Sequence, residues 1–140
     1  MIIDTSAIVA ILRDEAGASD CALAIEKTPS RRISAANFVE TALVIDGSRD
    51  PIVSRRFDEF FNEANISVEP VTLEQARLAR EAYRDFGKGS GHPAKLNFGD
   101  CFAYALARAT GEPLLLKGDD FIHTDISSAL AKAKCLASTR

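Results

Sequence analysis

Met1-Ile2-Ile3-Asp4-Thr5-Ser6-Ala7-Ile8-Val9-Ala10-Ile11-Leu12 sets a carboxylate and two hydroxyls between two apolar runs. Ile2-Ile3 reads as a short buried strand, and Thr5-Ser6 opens a helix through Ala7, Val9, Ala10, Ile11 and Leu12. Asp4 therefore falls at the carboxyl end of a strand. The unit recurs along the chain. Arg32-Ile33-Ser34 is a second strand, followed by a helix that carries Glu40 and ends near Gly47. Ile66 to Val71 is a third, and Thr72-Leu73-Glu74-Gln75 after it has capping-box form, with Leu73, Ala76, Ala79, Tyr83 and Phe86 as an apolar stripe. Asn97-Phe98-Gly99-Asp100 starts a further helix, Gly111 ends it, and Pro113 to Lys117 reads as a strand. Two more helices fit between, one from Gly17 to Thr28-Pro29 and one from Pro51 with Val53, Phe57, Phe60, Phe61 and Ala64 at helical spacing. Strands alternating with helices predict an α/β protein, its mainly parallel sheet covered on both sides, with ligands at the strands' carboxyl ends.

The 140 residues fit one domain, 1–140, with the small, polar stretch 127–140 reading as a loosely packed tail. No apolar run approaches the roughly 20 residues needed to cross a bilayer, and no secretory signal precedes the first strand. The expected setting is cytoplasmic, without a membrane. Cys21, Cys101 and Cys135 are odd in number and widely spaced, which argues for reduced thiols packed as small apolar residues. A net charge of −3 gives no global basic footprint, so any nucleic-acid contact must be local.

Acids stand where apolar backbone should continue: Asp4 after the first strand, Glu40 inside Ala35 to Ile45, Asp100 before Cys101 to Ala107, and Asp119-Asp120 after the last strand. A lone buried carboxylate costs several kcal/mol to desolvate, and a divalent cation is the cheapest counter-charge. Taken singly, Glu40 is as well explained by a salt bridge and Asp100 by capping its helix. Taken together, hard oxygen groups without a His or Cys cluster select Mg²⁺ or Mn²⁺. Such an ion acidifies a bound water and neutralises charge on a phosphoryl group. On the Glu40 helix, Asn37, Glu40 and Thr41 share one polar stripe.

A phosphodiester substrate would need cations nearby. Arg77, Arg80, Arg84 and Lys88, spaced by three, four and four, form a basic stripe running toward His92 and Lys95; a solvated helix face explains it equally well. Lys117 is a single candidate phosphate contact, or the partner of a free carboxylate. His92 and His123 lie in ordinary loop settings and are left out of catalysis. Gly87-x-Gly89-x-Gly91 follows a helix and so is no dinucleotide or P-loop motif.

Met1-Ile2-Ile3-Asp4-Thr5-Ser6-Ala7, Glu40, Leu96-Asn97-Phe98-Gly99-Asp100-Cys101-Phe102-Ala103-Tyr104-Ala105 and Leu115-Leu116-Lys117-Gly118-Asp119-Asp120-Phe121-x-x-Thr124-Asp125 together resemble a PIN-domain ribonuclease of the VapC toxin type. The resemblance spans the chain. It implies a three-layer α/β/α sandwich, endonucleolytic cleavage of RNA, and Asp4, Glu40 and Asp100 as the triad binding Mg²⁺ or Mn²⁺. It also implies a homodimer and a VapB-like antitoxin whose tail blocks the acidic pocket. The pattern Lys-Gly-x-Asp-Phe points to Asp120 as the fourth acid, with Asp119 and Asp125 as neighbours. Ser6 and Asn37 are expected behind the ligands, and Lys117, Arg84 and Lys88 toward the substrate. Two other readings stand beside it. A Mg²⁺-dependent phospho-aspartate domain, of receiver or phosphatase type, needs an Asp nucleophile with its own local pattern, and the phosphatases carry a second acid two residues later, where Ser6 stands after Asp4. A regulatory binding protein would act only through its partner. Phe57, Phe60 and Phe61 are read as their own helix's core before a partner's groove wall.

Overall fold

Ile2, Ile3, Ile33, Leu114 and Leu115 are all fully buried, so the strands lie between two layers, as parallel sheets must. The computed structural model describes residues 1–118, 121 and 123–130. Four strands, β1 (Ile2–Ile3), β2 (Arg32–Ser34), β3 (Ser67–Glu69) and β4 (Leu114–Leu115), pair in parallel in the order β3-β2-β1-β4. Around them run α1 (Thr5–Leu12), α2 (Ala18–Lys27), α3 (Ala35–Gly47), α4 (Pro51–Ala64), α5 (Leu73–Phe86) and α6 (Phe98–Thr110).

Successive strand residues face opposite ways, and this divides the core. Ile2 and Leu114, in register, join Leu116 and the helices α5 and α6 on one side. Ile3, Ile33 and Leu115 join α1, α2, α3 and α4 on the other. The expected α/β/α layering is what the chain forms. No helix among the described residues is long and apolar enough to cross a membrane.

Three expectations need adjustment. The third strand is shorter than Ile66 to Val71 because Pro70 has no N–H to continue the ladder. The last strand stops at Leu115: Pro113 has no donor to extend it upstream, and downstream the Lys117 amide turns away to the Ser6 hydroxyl at 3.0 Å. The stripe on α5 is divided. Ala79 is buried, along with Gln75 and Ala82 from beside the stripe, whereas Leu73 and Tyr83 are 67% and 51% exposed. The α4 aromatics do pack inward as read: Phe57 is buried, and Phe38 of α3 meets Phe57 and Phe61 at ring-centroid distances of 5.6 and 5.0 Å. Within the stretch 127–140, Ser128 bridges to Leu114 alongside β4, and positions 131–140 lie outside the described residues.

Cys21 and Cys101 are buried free thiols, and burial pushes both above the ordinary thiol range. The thiolate is the reactive form, so both should resist alkylation. Iodoacetamide at pH 8 followed by peptide mapping should leave Cys21 and Cys101 essentially unlabelled in the native protein and label both after denaturation.

Candidate active site at the carboxyl edge of the sheet

Each acid of interest is set by the start of a helix that leaves the sheet. Asp4 follows β1 directly, is 4% exposed, and caps α1 by accepting the Ser6 amide on Oδ2 at 3.0 Å. Ser34 ends β2 and caps α3 in the same manner, accepting the Ala36 amide at 3.3 Å. That fixes the phase of α3 and puts Asn37, Glu40 and Thr41 on one face. Asn97 and Asp100 form a full capping box on α6: Asn97 Oδ1 accepts the Asp100 amide at 2.9 Å, and Asp100 Oδ2 accepts the Asn97 amide at 3.0 Å.

These three helix starts are tied together through Glu40. The Thr5 hydroxyl donates to Glu40 Oε1 at 2.5 Å. Asn37 Nδ2 donates to the same oxygen at 3.3 Å and to the Gly99 carbonyl at 2.9 Å, across 62 residues of sequence. Thr41 Oγ1 lies 2.7 Å from the Asn37 carbonyl and 3.1 Å from Thr5 Oγ1, backing both. The Glu40 carboxylate rests on the α carbon of Gly99, where a Cβ would stand 1.9 Å from Oε2. Glu40 thus touches the residue after Asp4 and the residue before Asp100.

Among the described residues, no three Asp, Glu, His or Cys side chains form a ready-made cation cage. Each carboxylate is committed to donors of its own: Asp4 and Asp100 to their helix caps, Glu40 to Thr5 and Asn37. The donor chemistry nevertheless suits a hard cation, being all oxygen with no imidazole or thiolate in contact. Asn37 Oδ1 adds a buried acceptor with no donor among the described residues.

The other sequence candidates divide. Ser6 Oγ accepts the Lys117 amide and so fastens the exit of β4 beside Asp4. The Lys117 ammonium is paired with Glu15 at 2.5 Å, and that hydrogen bond holds the Glu15 carboxyl below its usual value; of the two uses read for Lys117, the structure shows the salt bridge. Arg84 is paired with its neighbour Asp85 at 2.9 Å. Arg80 and Lys88 make no ion pair among the described residues. Asp125 accepts the Tyr104 hydroxyl at 2.8 Å and is paired with Arg108. Its carboxylate serves to pin the segment 123–126 to α6. Asp119 and Asp120 lie outside the described residues. His92 Nδ1 accepts the Ala94 amide at 3.1 Å, a loop-shaping role.

The sequence reading put Thr41 on the polar stripe and Thr5 at a helix start without giving either a role at the site, and it gave Gly99 no role at all. One signal was available: glycine costs about 1 kcal/mol against alanine in a helix, so Gly99 in the first turn of a buried helix points to a close approach.

A family model described as PIN domain matches residues 1–127. Ribonuclease VapC28 of Mycobacterium tuberculosis is 59% identical over 130 residues, covering 93% of this chain and 98% of that protein. Among solved structures, M. tuberculosis VapC20, described as a sarcin-ricin loop cleaving toxin, superposes with a TM-score of 0.71 at 17% identity, covering 89% of this chain and 95% of that one. A toxin-antitoxin complex from Klebsiella pneumoniae superposes at 0.67 with 16% identity, covering 91% and 96%. At such identities the two structures speak for the fold alone.

The contact at Gly99 gives a sharp expectation. Gly99→Ala should not destabilise α6, since alanine favours a helix, but its methyl must displace the Glu40 carboxylate. An Å-scale misplacement of a reacting group costs on the order of 100-fold, so activity should fall steeply while the thermal midpoint stays level or rises. Thr5→Val should lower activity by about tenfold or more through loss of the hydroxyl to Glu40, and Thr5→Ser should restore it. Turnover and melting curves on the three variants check both.

Proposed function

The chain belongs to the PIN-domain family, and on that footing we propose that it is a VapC-type endoribonuclease, the toxin of a type II toxin-antitoxin pair, hydrolysing RNA phosphodiesters. What supports this most directly in the structure is the contact linking Thr5, Glu40 and Gly99, which joins Glu40 to the residues that adjoin Asp4 and Asp100 in sequence. A ribonuclease name on a relative matching nearly its whole length and this chain's supports the reaction class.

Asp4, Glu40 and Asp100 would hold Mg²⁺ or Mn²⁺, with Asp120 as the fourth acid. Such an ion supplies positive charge against the phosphoryl oxygens and acidity to the attacking water. The protein's own residues set the geometry. Thr5 and Asn37 aim the Glu40 carboxylate, Thr41 backs both, and Ser6 locks the turn after β4 beside Asp4. The start of α6, through its helix dipole, favours an anionic phosphate near Asp100. In the reaction the water oxygen bonds to phosphorus, the opposite ribose oxygen departs, and the water's protons pass to solvent and to the leaving oxygen. Family membership also supports a VapB-like antitoxin as partner, a homodimer, and a cytoplasmic setting.

Asp4→Asn and Asp100→Asn should each lower RNA cleavage by about 100-fold or more while the fold survives, because asparagine still caps a helix. Gel assays of purified protein on total RNA, with melting curves alongside, check this; undiminished cleavage by either variant defeats the assignment. EDTA should abolish cleavage and added Mg²⁺ or Mn²⁺ restore it.

A further inference from the structure

The stripe on α5 that does not enter the core faces a groove instead. Between α5 and α6 lies a cavity of about 520 Å³, within the range of small-ligand sites, lined by Arg80, Tyr83, Lys88, Asn97, Phe98 and Phe102 among others. Its aromatic content is unusual for a surface. Phe98 is 78% exposed, the highest of the large apolar side chains, and packs edge-on against Phe102 with ring centroids 4.9 Å apart. Half-exposed Tyr83 stands across from them. A side chain so exposed at the first position of a helix contributes little to the core.

Two cations lie on the rim. Arg80 and Lys88 have no acidic partner among the described residues, unlike Arg84 with Asp85 and Lys117 with Glu15. Flat apolar rings beside unpaired cations suit a ligand that is aromatic and anionic at once. A nucleotide of single-stranded RNA is such a ligand: its base stacks on the rings and its phosphate meets the cations. The groove reaches the residue that caps the Asp100 helix: Asn97, in its wall, exchanges two hydrogen bonds with Asp100.

We infer that the groove between α5 and α6 is a nucleobase-binding subsite, in which Phe98 and Tyr83 stack a base of the nucleotide next to the scissile phosphate while Arg80 and Lys88 hold the adjoining backbone. The inference rests on the ribonuclease assignment above and adds a basis for substrate selection to it. Phe98 is a substrate-binding residue here and takes no part in bond cleavage.

The test uses the Asp4→Asn protein, which does not consume its ligand, and two fluorescein-labelled probes of equal length: a single-stranded RNA of mixed sequence and an abasic ribose-phosphate strand. The parent should prefer the base-bearing strand. Phe98→Ala should weaken RNA binding by about tenfold and leave the abasic strand unaffected, the loss expected for one stacking contact. Arg80→Ala should weaken both strands alike. In the active protein Phe98→Ala should raise KM with little change in kcat. Unchanged RNA affinity in Phe98→Ala, or an equal loss on both strands, overturns the inference. So does dissociation of an oligomer by Phe98→Ala in light scattering, since the groove would then be a protein interface. Absence of RNA cleavage by the unsubstituted protein would sink the parent assignment; normal cleavage with an unaltered KM in Phe98→Ala would sink only the subsite.

Discussion

A carboxylate resting on a backbone α carbon is the contact on which the site depends. Glu40 reaches the first turn of α6 only because position 99 has no side chain, and it stays there because Thr5 and Asn37 hold the same oxygen. Fill that space and the Glu40 carboxylate must move off the first turn of α6, away from the segment that carries Asp100. The clamp is made of neutral donors. A Lys or Arg at Thr5 would also bind Glu40, but its charge would satisfy the acid and leave nothing for a cation to do. Hydroxyl and amide groups fix the geometry while preserving the negative charge.

Beneath that contact, the sheet supplies the common plane from which the acids are aimed. Four parallel strands end on the same edge, and at two of them the next residue or the last one is the helix cap: Asp4 after β1, Ser34 ending β2. There is almost no loop at either junction, so little freedom exists between the buried strand and the first helical turn. The buried isoleucines and leucines thereby set the positions of polar groups at the edge with the rigidity of a close-packed interior. The same economy explains why Asp4 does two things, capping α1 and contributing charge at the edge.

What a linear reading recovers here follows from what is local. Strand-helix alternation is written in short apolar runs and caps, so the layers, the capped helix starts at Thr72 and before Asp100, and the inward packing of Phe57 were legible. Long-range commitments were not. Nothing near Lys117 says that Glu15 claims its ammonium, and nothing near Asp125 says that Tyr104 and Arg108 claim its carboxylate. Thr5 was read as the opening of a helix, which it is, but its hydroxyl points to a residue 35 positions away. The stripe on α5 shows a subtler limit. Periodicity identifies an apolar face without saying whether protein or ligand covers it.

An acidic chain that handles an anionic polymer faces a particular difficulty. At a net charge of −3 and with its acids gathered at one edge, the protein gains nothing from long-range attraction to RNA, which is screened over about 10 Å in any case. Binding must then come from contacts made at short range. Among the described residues Arg32, Arg84, Arg108 and Lys117 are paired with acids, and Arg80 and Lys88 are among the cations that are not. These two stand beside the exposed aromatic rings at the start of α6. Stacking is indifferent to net charge and works at contact distance, which makes it the interaction best suited to holding RNA against an edge that repels it. On the proposed reading, the exposed phenylalanine two residues before Asp100 complements the acids: they would serve the chemistry, and stacking would hold the substrate against their repulsion.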